Sequence, residues 1–241
     1  MNVALVFAGG IGTRMSRKTK PKQFLEISGK AIIIHTIAHF ERHNDIDAIA
    51  VVCVKEWIPY LKDIIEKSGF KKIGWIIPGG DTALQSQYNG LKTIATGSNI
   101  GNDTIVLIHD GVRPLISEEL ITNCIECVRV NGSAVTIAPA NETILITDAN
   151  KTVKEALNRS LCCYARAPQC FYLSDILEVH EKAIKEGTHN FIDSATMLMY
   201  YGHPIFTVEG SSDNIKITTP TDYYLCKAIM GVMEDYEVLG L

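Results

Sequence analysis

Short apolar runs rich in β-branched residues recur along this chain, and a stretch of helical periodicity follows each of the first four. The runs read NVALVF, AIAVVCV, KIGWII, TIVLIHD and SAVTIAP; the intervening helical patterns include AIIIHTIAHF, WIPYLKDIIEKSG, TALQSQYNGLKTIA and SEELITNCIECVRV. A continuously apolar strand is buried on both faces, and strand–helix alternation implies parallel crossovers. The pattern predicts a three-layer α/β sheet wound in Rossmann-like fashion, and 241 residues suit one domain over 1–241. Further elements are expected as helices near 173–186 and 193–201, a strand at 204–208, and a terminal helix from about Thr221.

The rhythm breaks across residues 141–166, where NETILITDANKTVKEALNRSLCCYAR carries two short β-like runs around a turn at 148–150. Such a hairpin has little to pack on within its own domain. It is expected to be an inserted β-arm that reaches a second subunit and makes a homodimer.

The first strand runs into FAGGIGTRMSRKTKPKQFL, which concentrates glycines and cations on a chain of net charge −4. That acidic balance argues against a nucleic-acid binder that must neutralise many phosphates. No apolar run reaches the roughly 18 residues that span a bilayer. Seven cysteines without scaffold spacing fit a reducing, cytoplasmic location. Gly9, Gly10 and Gly12 allow close backbone approach to an anion at a strand's end, where α/β sheets bind ligands. Arg14 can fork onto a triphosphate, and Pro21 directs Lys22 back towards the same place. The stretch fits neither the GxxxxGK[ST] phosphate loop nor a dinucleotide fingerprint.

AGGxGTRM…KPKQF, with Gly79, Gly80 and Ser86, HDGVRP at 109–114, APQCF at 167–171 and DNIKITTPTD at 213–222, resembles the cytidylyltransferases that activate polyol phosphates with CTP. The resemblance covers nearly the whole length and implies a nucleotidyltransferase sheet. It implies that CTP and a polyol phosphate are joined with release of pyrophosphate and with Mg²⁺ as cofactor. Arg14 and Lys22 would hold the β- and γ-phosphates, and Lys216 the α-phosphate. Ala8, Gly9, Gly10, Gly12, Gly80 and Ser86 would enclose the nucleotide. Arg113, Thr143 and Arg159 would grip the acceptor, the last two delivered by the arm to the neighbouring subunit's site. Asp110, expected at the sheet's carboxyl edge because it ends TIVLIHD, would bind the metal, with Asp213 second. The competing reading makes Asp110 a helix cap and Asp213 a turn former.

Gly9, Gly111-Val112, Asn141-Glu142-Thr143 and Ala167 depart from the methylerythritol-phosphate branch. They pull towards the ribitol-phosphate branch, with its wall-polymer and capsule relatives. D-Ribitol 5-phosphate is therefore the expected acceptor, and 2-C-methyl-D-erythritol 4-phosphate of isoprenoid biosynthesis the alternative. Ala83 stands where both branches carry an arginine, which raises the rival possibility of a CTP-binding regulator without turnover. An NAD-dependent oxidoreductase would need an acidic residue ending the second strand, and Glu56 comes too late for that. His35, His39 and His43 share one face of the first helix and are expected as a surface stripe, not zinc ligands; Cys124 and Cys127 are expected in the core.

Overall fold

A computed structural model describes residues 1–8, 20–188 and 190–239, with side chains described as far as 235. The chain forms a mixed α/β structure whose mostly parallel central sheet is flanked by helices. The strands are β1 (Asn2–Ala8), β2 (Glu26–Ile27), β3 (Lys30–Ala31), β4 (Ala48–Cys53), β5 (Ile73–Pro78), β6 (Ile105–Asp110), β7 (Ser133–Pro139), β8 (Leu145–Thr147), β9 (Val153–Ala156), β10 (Cys163–Tyr172) and β11 (Thr207–Glu209). The helices are α1 (Ile32–Arg42), α2 (Ile58–Ser68), α3 (Ala83–Ala95), α4 (Glu118–Asn131), α5 (Leu173–Glu186), α6 (Ser194–Tyr200) and α7 (Pro220–Leu239).

The sheet order is β11-β7-β10-β6-β1-β4-β5. The chain winds outward from β1 through β4 to β5, and α3 then carries it back to β6 on the other side of β1. The winding therefore reverses between β1 and β6, and ligands of open α/β sheets bind outside the strand ends at such a point. Ile33, Ile37 and Phe40 of α1, Leu61 of α2, and Ile121 and Ile125 of α4 pack on one face. Leu91 and Ile94 of α3, Ile176 and Val179 of α5, and Leu198 of α6 pack on the other. Gly90 lets α3 lie against the sheet, because a Cβ there would meet Leu5 Cδ1 at 2.5 Å. A third cluster of Ile27, Ile32, Val112, Leu115, Ile217 and Cys226 fastens α7 to the segment that leaves β6.

Two expectations need correction. The segment 141–166 is not wholly an arm. The hairpin β8–β9 pairs with itself alone, but Cys163 to Arg166 already belong to β10, which runs antiparallel between β6 and β7. Its register shifts between Ala165 and Gln169, and that irregularity accommodates Pro168, which cannot donate to a ladder. The histidines of α1 do not form a solvated stripe either. His35 Nε2 hydrogen-bonds the Ile27 carbonyl at 2.8 Å, His39 Nε2 that of Pro114 at 3.0 Å, and His43 Nε2 that of Glu118 at 3.2 Å. These contacts cover the rings, and His43 is buried. Cys124 is buried and Cys127 half-buried, both facing the core. Among the described residues no helix is long and apolar enough to cross a membrane.

Candidate active site

β1 ends at Ala8, and β6 ends at Asp110 in register with Phe7, so both chain exits open onto the same sheet edge. Gly9, Gly10, Gly12 and Arg14 lie outside the described residues. The return of that loop is described, and it is anchored. Gln23, buried, donates from Nε2 to the Ala8 carbonyl at 2.9 Å, within a single 3-10 turn over Lys22–Phe24. Phe24 is buried and lies 5.2 Å from the ring centroids of both Trp57 and Tyr60. Lys20 donates to Tyr60 Oη at 2.6 Å and pairs with Glu26 at 3.2 Å, so it ties the start of the return segment down. Lys22 is thereby held beside the end of β1.

On the β4–β5 side, the Gly79 amide donates to the Cys53 carbonyl at 2.8 Å. The Gly80 amide donates to Ser86 Oγ at 3.0 Å, and Ser86 Oγ donates to the Thr82 carbonyl at 2.9 Å. Ser86 is buried, so its hydroxyl shapes the glycine turn from within. A Cβ at Gly80 would come within 2.3 Å of Gln85 Cγ, which explains the glycine. Thr82 caps α3 by accepting from the Gln85 amide, and Ala83 opens the helix with an exposed side chain.

Asp110 is the centre of the site. It is 7% exposed; Oδ2 accepts from Arg113 Nε at 2.8 Å, and Oδ1 faces Lys216 Nζ at 2.5 Å. Burial alone would raise its pKa, but the charges and hydrogen bonds of Lys216 and Arg113 outweigh burial and hold the carboxyl below its ordinary value. Lys216 is delivered by the third cluster, since the Ile217 amide donates to the Val112 carbonyl at 3.0 Å. His109 Nε2 hydrogen-bonds the Arg113 carbonyl at 3.0 Å, and burial pushes its pKa down to about 4.

Arg113 is buried, and two of its nitrogens are engaged: Nε with Asp110, and Nη1 with the Asn214 carbonyl at 2.8 Å. Its first visible role is to fix Asp110. Asp213 is exposed in the preceding turn, where its amide donates to Ser211 Oγ and its carbonyl accepts from the Ile215 amide. That geometry matches the turn-forming reading, and no described contact joins its carboxylate to Asp110. Thr143 and Arg159 are exposed at the arm's base, with Arg159 Nη1 donating to the Asn141 carbonyl at 3.1 Å. Asp222, at the end of the DNIKITTPTD run, accepts from the Thr218 and Thr219 amides and the Thr218 hydroxyl, and so caps α7. Arg166 and Asn214 are not marked as site residues by the sequence. Arg166 Nη1 donates to the same Asn214 carbonyl at 3.1 Å, while Asn214 Nδ2 donates to the Ala167 carbonyl at 2.7 Å. The DNIK and RAPQ runs each carried part of this arrangement, but no spacing relates them.

The family model for 2-C-methyl-D-erythritol 4-phosphate cytidylyltransferase (IspD) matches residues 2–232. A ribitol-5-phosphate cytidylyltransferase of Vibrio parahaemolyticus is 48% identical, with all of both chains covered. One from Streptococcus agalactiae is 44% identical over the same full extent. A 2-C-methyl-D-erythritol 4-phosphate cytidylyltransferase of Clostridium botulinum is 35% identical, covering 95% of this chain and 97% of that protein. Among solved structures, the 4-diphosphocytidyl-2C-methyl-D-erythritol synthase of Anaerococcus prevotii superimposes with a TM-score of 0.82 at 28% identity, covering 95% of this chain and 96% of the other.

Proposed function

This chain belongs to the 2-C-methyl-D-erythritol 4-phosphate cytidylyltransferase (IspD) family and is a CTP-dependent nucleotidyltransferase; from that premise we propose that it transfers CMP from CTP to D-ribitol 5-phosphate, giving CDP-ribitol and pyrophosphate. The observation that carries the acceptor is that relatives named for ribitol 5-phosphate reach 44–48% identity over the full chain, with another at 36%, against 35% for those named for methylerythritol phosphate. The geometry fits such a transfer: a buried carboxylate and converging cations stand where the sheet's winding reverses.

An acceptor phosphate oxygen attacks the α-phosphorus of CTP, and the bond from that phosphorus to the β-bridging oxygen breaks, releasing pyrophosphate. A phosphate monoester has its second pKa near ~6, so the nucleophile is already ionised and no general base is needed. The protein's task is to position the reactants and stabilise charge. Lys216, steered by Asp110, is the group for the α-phosphate. Lys22, docked against β1 through Gln23, and Arg14 are the groups for the leaving pyrophosphate. Gly80 and Ser86 border the base side, and Ala8 ends the strand next to them. Arg113 serves the acceptor through whichever of its donors Asp110 and Asn214 leave.

The donor chemistry of the site fits Mg²⁺, because Asp110 offers ionised hard oxygens beside the triphosphate position. Asp110 would hold the ion, with Asp213 the further candidate. When bound, Mg²⁺ would supply charge neutralisation for the phosphates. A site completed by substrate oxygens needs no protein cluster of three ligands, and none occurs among the described residues.

The hairpin β8–β9 supports a homodimer. Leu145, Ile146 and Val153 on the hairpin, with Leu161 and Tyr164 beyond it, are large apolar side chains 44–83% exposed. A second copy covering them would receive Thr143 and Arg159 at its acceptor pocket. Seven free cysteines fit a reducing cytoplasm.

The test is pyrophosphate release from CTP with each acceptor in turn. The expected kcat/KM for D-ribitol 5-phosphate exceeds that for 2-C-methyl-D-erythritol 4-phosphate by at least about tenfold, equivalent to 1.4 kcal/mol of discrimination. Equal or reversed values overturn the choice of acceptor. Binding of CTP without pyrophosphate release, whichever acceptor is offered, would instead favour the regulator.

A further inference from the structure

Arg166 stands in the strand beside Asp110 with a charge that the described protein does not balance. Its Nη1 and Arg113 Nη1 converge on one acceptor, the Asn214 carbonyl, at 3.1 and 2.8 Å. Two guanidinium groups therefore lie side by side, and burial, together with the nearby charge of Arg113, disfavours the charged form of Arg166. Among the described residues Arg166 Nε, which is buried, has no hydrogen-bond partner, and neither has Asn214 Oδ1. Arg113 has a carboxylate, Asp110, which it shares with Lys216. Among the described residues Arg166 has none. The stretch 9–19 cannot supply one either, since its sequence contains no acidic residue. Arg113, Arg166 and Lys216 against Asp110 leave two positive charges in excess. A half-buried cation without a counter-ion is costly to hold unless a ligand provides one.

Strand order says which ligand. From β5 through β4, β1 and β6 to β10, neighbouring strands lie about 4.8 Å apart. On the proposed function, the glycine turn after β5 borders the base side and the carboxyl end of β1 the triphosphate. Asp110 follows at the end of β6, and Arg166 lies one strand further out, on the side of β7 from which the arm departs. Cys170 and Gln169 pair with Leu107 and Ile108, so the segment before Pro168 sits at the same edge as Asp110. A group there faces the acceptor's half of the crevice, beyond the triphosphate.

We propose that Arg166 is an acceptor-binding and specificity-determining residue, which with Arg113 forms a two-arginine seat for the phosphate dianion of the sugar-alcohol phosphate. The dianion matches the excess of two charges, and an oxygen of it can accept from the free donors of Arg166. The seat rests on the proposed function for the identity of the acceptor, while its anion chemistry stands on the geometry alone.

Arg166→Leu removes the fork and its charge, and Arg166→Lys keeps a charge without the fork. Pyrophosphate release gives KM for acceptor and for CTP, and a thermal-melt titration with inorganic phosphate reads anion binding without turnover. The acceptor KM is expected to rise about 10- to 100-fold in Arg166→Leu, the loss typical of one charged hydrogen-bonding group. The CTP KM should stay within about twofold, inorganic phosphate should bind more weakly, and Arg166→Lys should recover part of each loss. An unchanged acceptor KM, or an equal rise for CTP, overturns the assignment, because a merely structural arginine would shift the melt and not this ratio. If the unaltered enzyme ignores D-ribitol 5-phosphate, the proposed function fails, and the inorganic phosphate titration still decides Arg166. Undiminished phosphate binding by both variants overturns the seat.

Discussion

His180 makes the fold acid-sensitive by an amount that can be worked out and then removed. The ring sits on α5, 2% exposed, packed against Tyr88 with centroids 6.0 Å apart, and Nε2 lies 3.5 Å from Ser194 Oγ. Ser194 Oγ donates to Gln87 Oε1 at 2.7 Å, and among the described residues no carboxylate acts on the ring. Burial alone pushes the pKa down to about 4 from an ordinary 6.5. Because the folded value is the lower, the unfolded chain takes up the proton first. The contribution to stability is complete above pH 6.5 and is lost progressively as pH falls towards 4. Between pH 7.5 and pH 5 one such group costs about 2 kcal/mol of folding free energy. His39 is shifted in the same direction and His109 to about 4, so the whole protein loses more than this. The comparison is therefore between the unaltered chain and His180→Gln, using urea unfolding at both pH values followed by the fluorescence of Trp57 and Trp75. The drop should shrink by about 2 kcal/mol in the variant. An undiminished drop would show that the ring is not held neutral in the folded state.

Replacing the central carboxylate should separate two roles. Asp110→Asn leaves Arg113 buried without its counter-ion, an expected loss of about 3 kcal/mol in urea unfolding, while Lys216 adds little because its side chain is 40% exposed. The Mg²⁺ concentration for half-maximal turnover should rise at least about tenfold; an unmoved metal titration refutes metal binding by Asp110. Excising the hairpin between Glu142 and Leu157 should leave the central sheet intact, because β8 and β9 pair only with each other. It should yield monomers in sedimentation with weakened acceptor binding, and a variant that stays dimeric rules out the arm as interface.

The legible parts of this fold were those whose burial is uniform. β1, β4 and β6 are covered on both faces and read as unbroken apolar runs, so their type and place followed directly. β10 did not, because CYARAPQCFY is exposed over its first three residues and buried over Ala167 to Phe171, with a proline inside the buried part. No periodicity survives that change, and only pairing with β6 and β7 makes it a strand. The site shows the same division. Asp110 could be placed at the sheet edge because it ends a buried run, and Lys216 stood out in a motif. That each faces the other, and that two arginines share the Asn214 carbonyl, depends on contacts between segments distant in sequence.

The histidines of α1 carry that reasoning one step further. Their spacing put them on one face, but their use is set by what the fold brings opposite. Thr36 Oγ1 reaches the Gly111 carbonyl at 3.3 Å, His39 that of Pro114, and His43 that of Glu118. These carbonyls belong to the segment that leaves β6 and begins α4, in which Val112 anchors Ile217 and Arg113 clamps Asp110. α1 therefore braces from behind the loop that aims the cations, and an alternating polar face that would suit solvent instead holds the site's backbone in place.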